Sequence, residues 1–140
     1  MRIADIREPQ LFQDLVVALF VAERGEAFQV VDDSGGDGGL DGYDLERQVL
    51  YAVYCPEKQA SDSRYQTKAL SDLAKAKSLR DDGGYEIETF AFVTPQHVRE
   101  PVLRALLAEA KAMGFKAISL GTTHLEQLFL TRRSRYQTGA

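Results

Sequence analysis

At 140 residues the chain has the length of a single domain, enough to bury a real core. Hydrophobic residues at 44% and charged residues at 27% are ordinary globular proportions and exclude a disordered chain. A formal net charge of −4 argues against a dedicated basic nucleic-acid binder, although lysines and arginines gather at residues 68–80 and again at 132–135. The single cysteine, Cys55, excludes an internal disulfide and a cysteine-based zinc cage. No apolar run reaches bilayer length and the first residues lack a signal-peptide core, so the expectation is no membrane and a cytoplasmic address.

Taken in chain order, residues 11–22 place Leu11, Leu15 and Leu19 beside Phe12, Val16 and Phe20 at helical spacing, with Pro9 near the first turn. Residues 27–31 read as a short strand, 40–45 as a second and 47–55 as a third. Their close spacing predicts an antiparallel meander. Pro56 ends that ladder because it brings no amide hydrogen. A helical period returns over 62–79 (Tyr65, Ala69 and Leu73), with Lys68, Lys75, Lys77 and Arg80 as a basic flank, and Gly83-Gly84 closes it. Phe90-Ala91-Phe92-Val93 is apolar on both faces and predicts a central strand. Val98, Val102, Leu106 and Ala110 mark a long helix that begins within a turn of Pro101 and stops at Gly114. Residues 115–120 make a last strand, and Thr122-Thr123 cap a helix over 125–130. The expected domain covers 1–135, with 136–140 a tail or the start of a linker. Three strands followed by alternating helix and strand predict an α/β fold, a central mixed β-sheet flanked by helices.

The chain is organised around Ser34-Gly35-Gly36-Asp37-Gly38-Gly39-Leu40-Asp41-Gly42-Tyr43. Glycine loses more freedom on ordering than any other residue, so such a run persists where backbone needs positive φ or close approach. It lacks the Gly-Lys-Ser/Thr ending of a P-loop, and no helix opens directly after it. Asp41 and Glu57 stand on adjacent strands that can meet at one end of the sheet. Magnesium commonly takes one or two carboxylates together with substrate phosphate and water, so the pair is a candidate metal site. Lys58 is the adjacent candidate for orienting a water. Against this, successive strand residues face opposite sides, so Glu57 and Lys58 share a site only where Pro56 breaks the strand. The competing reading makes Glu57 and Lys58 solvated turn residues. His97 and His124 lack ligand-like spacing and read as helix-start or surface residues. Cys55 reads as a packed thiol.

These pieces together resemble a known family. Phe12-Gln13-Asp14-Leu15-Val16, then Gly36-Asp37-Gly38-Gly39-Leu40-Asp41, then Tyr51-Ala52-Val53-Tyr54-Cys55 are similar to the Mrr-type branch of the PD-(D/E)XK nuclease superfamily. The resemblance covers nearly the full chain and implies a restriction-endonuclease-like core. It implies Asp41 as a metal-binding aspartate and Gln13 at the position of a supporting helix glutamate. Tyr54 and Pro56 stand where the family carries its acid or glutamine and its lysine, so that motif is broken, and Glu57 with Lys58 would substitute after a small shift. The implied activity is Mg²⁺- or Mn²⁺-dependent endonucleolytic hydrolysis of DNA in restriction or anti-phage defence. Such domains often act as the effector of a longer protein, with a homo-oligomer, further domain or partner protein. The alternative is an inactive nuclease-fold module that binds nucleic acid, protein or a small ligand, which the broken motif and acidic composition favour.

Overall fold

The computed structural model describes residues 3–31 and 40–138. Most of the glycine-rich run, including Asp37, lies outside the described residues. Helix α1 (Pro9–Arg24) leads through a 3₁₀ turn into β1 (Phe28–Val30), β2 (Leu40–Asp44) and β3 (Val49–Val53). Helix α2 (Asp62–Asp82), β4 (Thr89–Val93), α3 (Glu100–Met113), β5 (Lys116–Leu120) and α4 (Thr122–Thr138) follow. The five strands form one sheet in sequence order. The pairs β1–β2 and β2–β3 are antiparallel, whereas β3–β4 and β4–β5 are parallel. The chain is therefore an α/β protein with a mixed five-stranded sheet, and the expected meander and the central place of Phe90–Val93 are both observed.

Side chains of successive strand residues point to opposite faces, and each face has its own apolar cluster. Leu50, Ala52, Phe90 and Phe92 pack under α2 and α3 with Tyr65, Ala69, Leu73, Val102 and Leu106. Tyr51, Ala91 and Val93 pack under α1 and α4 with Phe12, Val16, Phe20 and Leu125. The apolar stripe of α1 is thus seated on one face of the sheet, while Leu11 and Val21 remain exposed on its outer side. Gly42 has a packing cause. A Cβ there would stand 2.1 Å from Cζ of Phe28, so the ring that stacks on Phe20 occupies the space of a side chain.

Two boundaries differ from the sequence reading. The last helix starts at Thr122, which is helical and not a cap, and it runs on to Thr138, into the segment expected as a tail. The hydroxyl of Thr122 donates to the Pro95 carbonyl, a long-range bond that periodicity does not carry. Helix α3 opens at Glu100 with Pro101 in its first turn, where the missing amide hydrogen costs no helical bond. No helix among the described residues is long and apolar enough to cross a membrane.

Candidate active site at the sheet edge

The start of β2 and the ends of β3, β4 and β5 lie along one edge of the sheet, because β2 runs antiparallel to the other three. Asp41 sits at that edge as an extra residue. Leu40 pairs with Ala52 and Gly42 with Tyr51, so two steps on β2 match one on β3. Such a bulge re-aims a side chain and interrupts the ladder. Here the Val53 amide donates to Oδ2 of Asp41 at 2.8 Å, in place of a strand carbonyl. The carboxylate is 7% exposed.

The second carboxylate of the site comes from α2. Ser61 caps this helix, accepting from the Arg64 amide at 3.2 Å, and Tyr65, Ala69, Leu73 and Ala76 seat it on the sheet. Asp72 falls within that buried stripe and is itself fully buried. Its Oδ1 accepts from Nζ of Lys68 at 3.1 Å, with Nζ of Lys75 at 3.9 Å. Its Oδ2 has no hydrogen-bond partner among the described residues. Burial pushes the Asp72 carboxyl up to about 6. The charge and hydrogen bond of Lys68, then the charge of Lys75, oppose the shift, while the negative charge of Asp41 adds to it. Asp41 and Asp72 thus come from different elements, and the charge of the one is felt weakly by the other. Nζ of Lys68 also stands 5.9 Å from the centre of the Tyr54 ring, a cation–π contact at the end of β3. Tyr54 meets Tyr65 edge to face at 5.6 Å between centroids.

The residues singled out from sequence fall unevenly around this centre. Asp41 is at its heart. Glu57 and Lys58 are on the same sheet edge, beyond buried Pro56, but both side chains are exposed in a bend. Gln13 is half-buried on α1, in the layer across the sheet from Asp72. Asp72 and Lys68 were the residues that sequence reasoning did not assemble. The signal for Asp72 was present, an acid inside the stripe Tyr65-Ala69-Leu73-Ala76, one turn after Lys68. Cys55 is buried, and burial pushes its thiol up, as expected of a packed residue.

Two carboxylates, one with an orphaned buried oxygen, fit the hard-oxygen preference of Mg²⁺ or Mn²⁺, which keeps waters and substrate phosphate as its other ligands. Among the described residues no group of three or more His, Cys, Asp or Glu is arranged to hold a metal ion. The class defined by the fold is an α/β protein with helices on both faces of a mixed five-stranded sheet. Comparison with protein-family models, with curated proteins and with solved structures gives no match.

Proposed function

We propose that the chain is a metal-dependent endonuclease of restriction-endonuclease-like fold, hydrolysing DNA phosphodiesters in the cytoplasm, in restriction or anti-phage defence as part of a larger assembly. Its active site would be Asp41, Asp72 and Lys68. The observation that carries this reading is the Asp72 carboxylate, buried, with one oxygen unpaired among the described residues and with the charge of Asp41 adding to its raised pKa. Burying two like charges together costs stability and contributes nothing to packing, and such arrangements concentrate at functional sites.

Asp41 and Asp72 would hold Mg²⁺ or Mn²⁺, which when bound supplies positive charge to the phosphoryl oxygens and lowers the pKa of a water. The chain's own groups do the positioning. The Val53 amide fixes Asp41, and Lys68 with Lys75 fixes Asp72. Lys68, lying between Asp72 and the face of Tyr54, would hold the attacking water and offset charge developing on phosphorus. Water oxygen forms the new P–O bond, the bond to the leaving alcohol breaks, and the proton ends on that leaving oxygen. In this arrangement the lysine of the broken motif is supplied from α2, where Pro56 occupies the strand position. Lys58, exposed beyond Pro56, would then contact the substrate backbone, and Glu57, exposed beside it, would take no part in holding the metal.

The test is plasmid nicking with Mg²⁺ or Mn²⁺, comparing wild type with Asp41→Ala, Lys68→Met and Glu57→Ala. Asp41→Ala should abolish cleavage and Lys68→Met should lower it at least about a hundredfold. Glu57→Ala should retain cleavage. Full cleavage by Asp41→Ala sinks the site. A second reading, an inactive nuclease-fold module, is favoured by Tyr54 and Pro56 at the motif positions. Under it wild type neither nicks DNA nor binds either metal in calorimetry.

A further inference from the structure

We propose that the cleft at the carboxyl ends of β4 and β5 is a phosphate-binding pocket, separate from the acidic pair. The cleft has a volume of ≈780 Å³ and opens between the segment after β4 and the start of α4. Crevices at the carboxyl ends of parallel strands are where open α/β sheets commonly take ligands. Arg7, His97, Arg99 and His124 line it, and none of its lining residues is acidic. In a chain of net charge −4, a lining whose charged residues are two arginines with no acid runs against the average surface. Guanidinium groups match phosphate oxygens in pairs, and both imidazoles present N–H donors in either charge state.

Two helices begin at this cleft. Helix α4 opens at Thr122, with no acidic side chain in its first turn, and its first amides have no carbonyl partner within the helix. Arg99 is the N-cap of α3, and its side chain makes no cap hydrogen bond. The independent observation is Gln96. It lines the cleft and is 7% exposed, its Oε1 accepts from the Tyr65 hydroxyl, and its Nε2 has no partner among the described residues. A buried amide donor left unpaired is costly, and a small rotation of the Gln96 side chain towards the cleft would offer it to an oxygen-rich anion there. Arg99 already has a counter-charge in Asp62, at 3.1 Å. Both side chains are well exposed, so the pair is weak and yields to a stronger acceptor.

The cleft is larger than one phosphate, so the ligand is a phosphate carried on a larger group, either a free nucleotide or the end of a nucleic acid. Nothing in the proposal requires a divalent ion or the acidic pair, so it stands or falls apart from the hydrolytic reading. The experiment is a two-dimensional amide NMR titration with pyrophosphate, in EDTA and at constant ionic strength. Saturable shifts are expected at the amides of Gln96, His97, Thr123 and His124. Arg7→Gln and Arg99→Gln, both exposed and checked for folding by circular dichroism, should each weaken binding roughly tenfold. ADP and a 5′-phosphorylated oligothymidylate then separate the sources, the tighter of the two naming the ligand class. The proposal is overturned by the absence of saturable shifts up to about 10 mM pyrophosphate, a weak limit for any specific site. It is equally overturned by unchanged binding in the double variant.

Discussion

Asp44 and Asp72 are both fully buried, yet their surroundings pull their carboxyl groups in opposite directions. At Asp44 burial alone would raise the pKa. The hydrogen bond from Arg24, the Arg47 amide, the Arg24 charge and the Glu46 amide outweigh it and hold the group below its ordinary value. Arg24 Nε donates at 2.7 Å, and the amides of Glu46 and Arg47 donate to Oδ1 at 3.0 and 2.9 Å. This aspartate ties the end of α1 to the β2–β3 turn with both oxygens satisfied. At Asp72 burial wins, and one oxygen is left without a partner. A buried carboxylate built for the fold is saturated with donors. One left short of them, as Asp72 is, is what the proposed ligand site requires.

Removing Asp44 should have the largest effect on stability. Asp44→Ala takes from Arg24 its nearer partner, leaving only Glu46 at 3.3 Å, and strips two turn amides of their acceptor, a loss of about 2–3 kcal/mol in urea unfolding. A loss below about 1 kcal/mol, the value of an ordinary surface pair, would erase the distinction between the two aspartates. Asp72→Asn should lower Mg²⁺-dependent nicking by about 10²–10³-fold, since an amide cannot replace the charge.

The same Asp72→Asn change should do the opposite to stability. A carboxyl raised from 3.8 to about 6 in the folded chain costs stability once pH passes the unfolded value, and the cost is complete above the folded one. In EDTA at pH 8 the variant should therefore be more stable than wild type, on the order of 1–3 kcal/mol, and the gap should close near pH 4. Asp44→Asn should show the mirror image. A carboxyl held low contributes stability above its unfolded pKa and loses it as pH falls through the folded value. The wild type should thus lead at pH 7 and converge with this variant in strong acid. Parallel pH profiles for the two asparagine variants would contradict the opposed shifts. The smallest effect belongs to Lys75, whose ammonium is 3.9 Å from Asp72 and 39% exposed. Lys75→Met should change nicking by no more than about threefold, as expected for a screened charge, whereas Lys68→Met should cripple it.

The order of helices and strands was legible in the sequence, because apolar spacing of 3.6 or 2 reports local structure directly. Phe12, Val16 and Phe20 announce α1, and Phe90–Val93 announces the central strand by being apolar on both faces. Asp41 was legible as a candidate, since the glycines preceding it in sequence and the strand that follows single it out, and the proposed site keeps it. Its companion was not. Lys68 read as part of a solvated basic flank, and Asp72 went unremarked, because periodicity says which face of a helix is buried but not what that face meets. Glu57 and Lys58 follow the strand next to Asp41 and lie beside the broken motif, but they stand exposed past Pro56. The β2 bulge at Asp41 and the docking of α2 on the sheet decide which charges the proposed site draws on. Both are tertiary events, and the energy of two carboxylates depends on distance and solvent, neither of which a linear spacing contains.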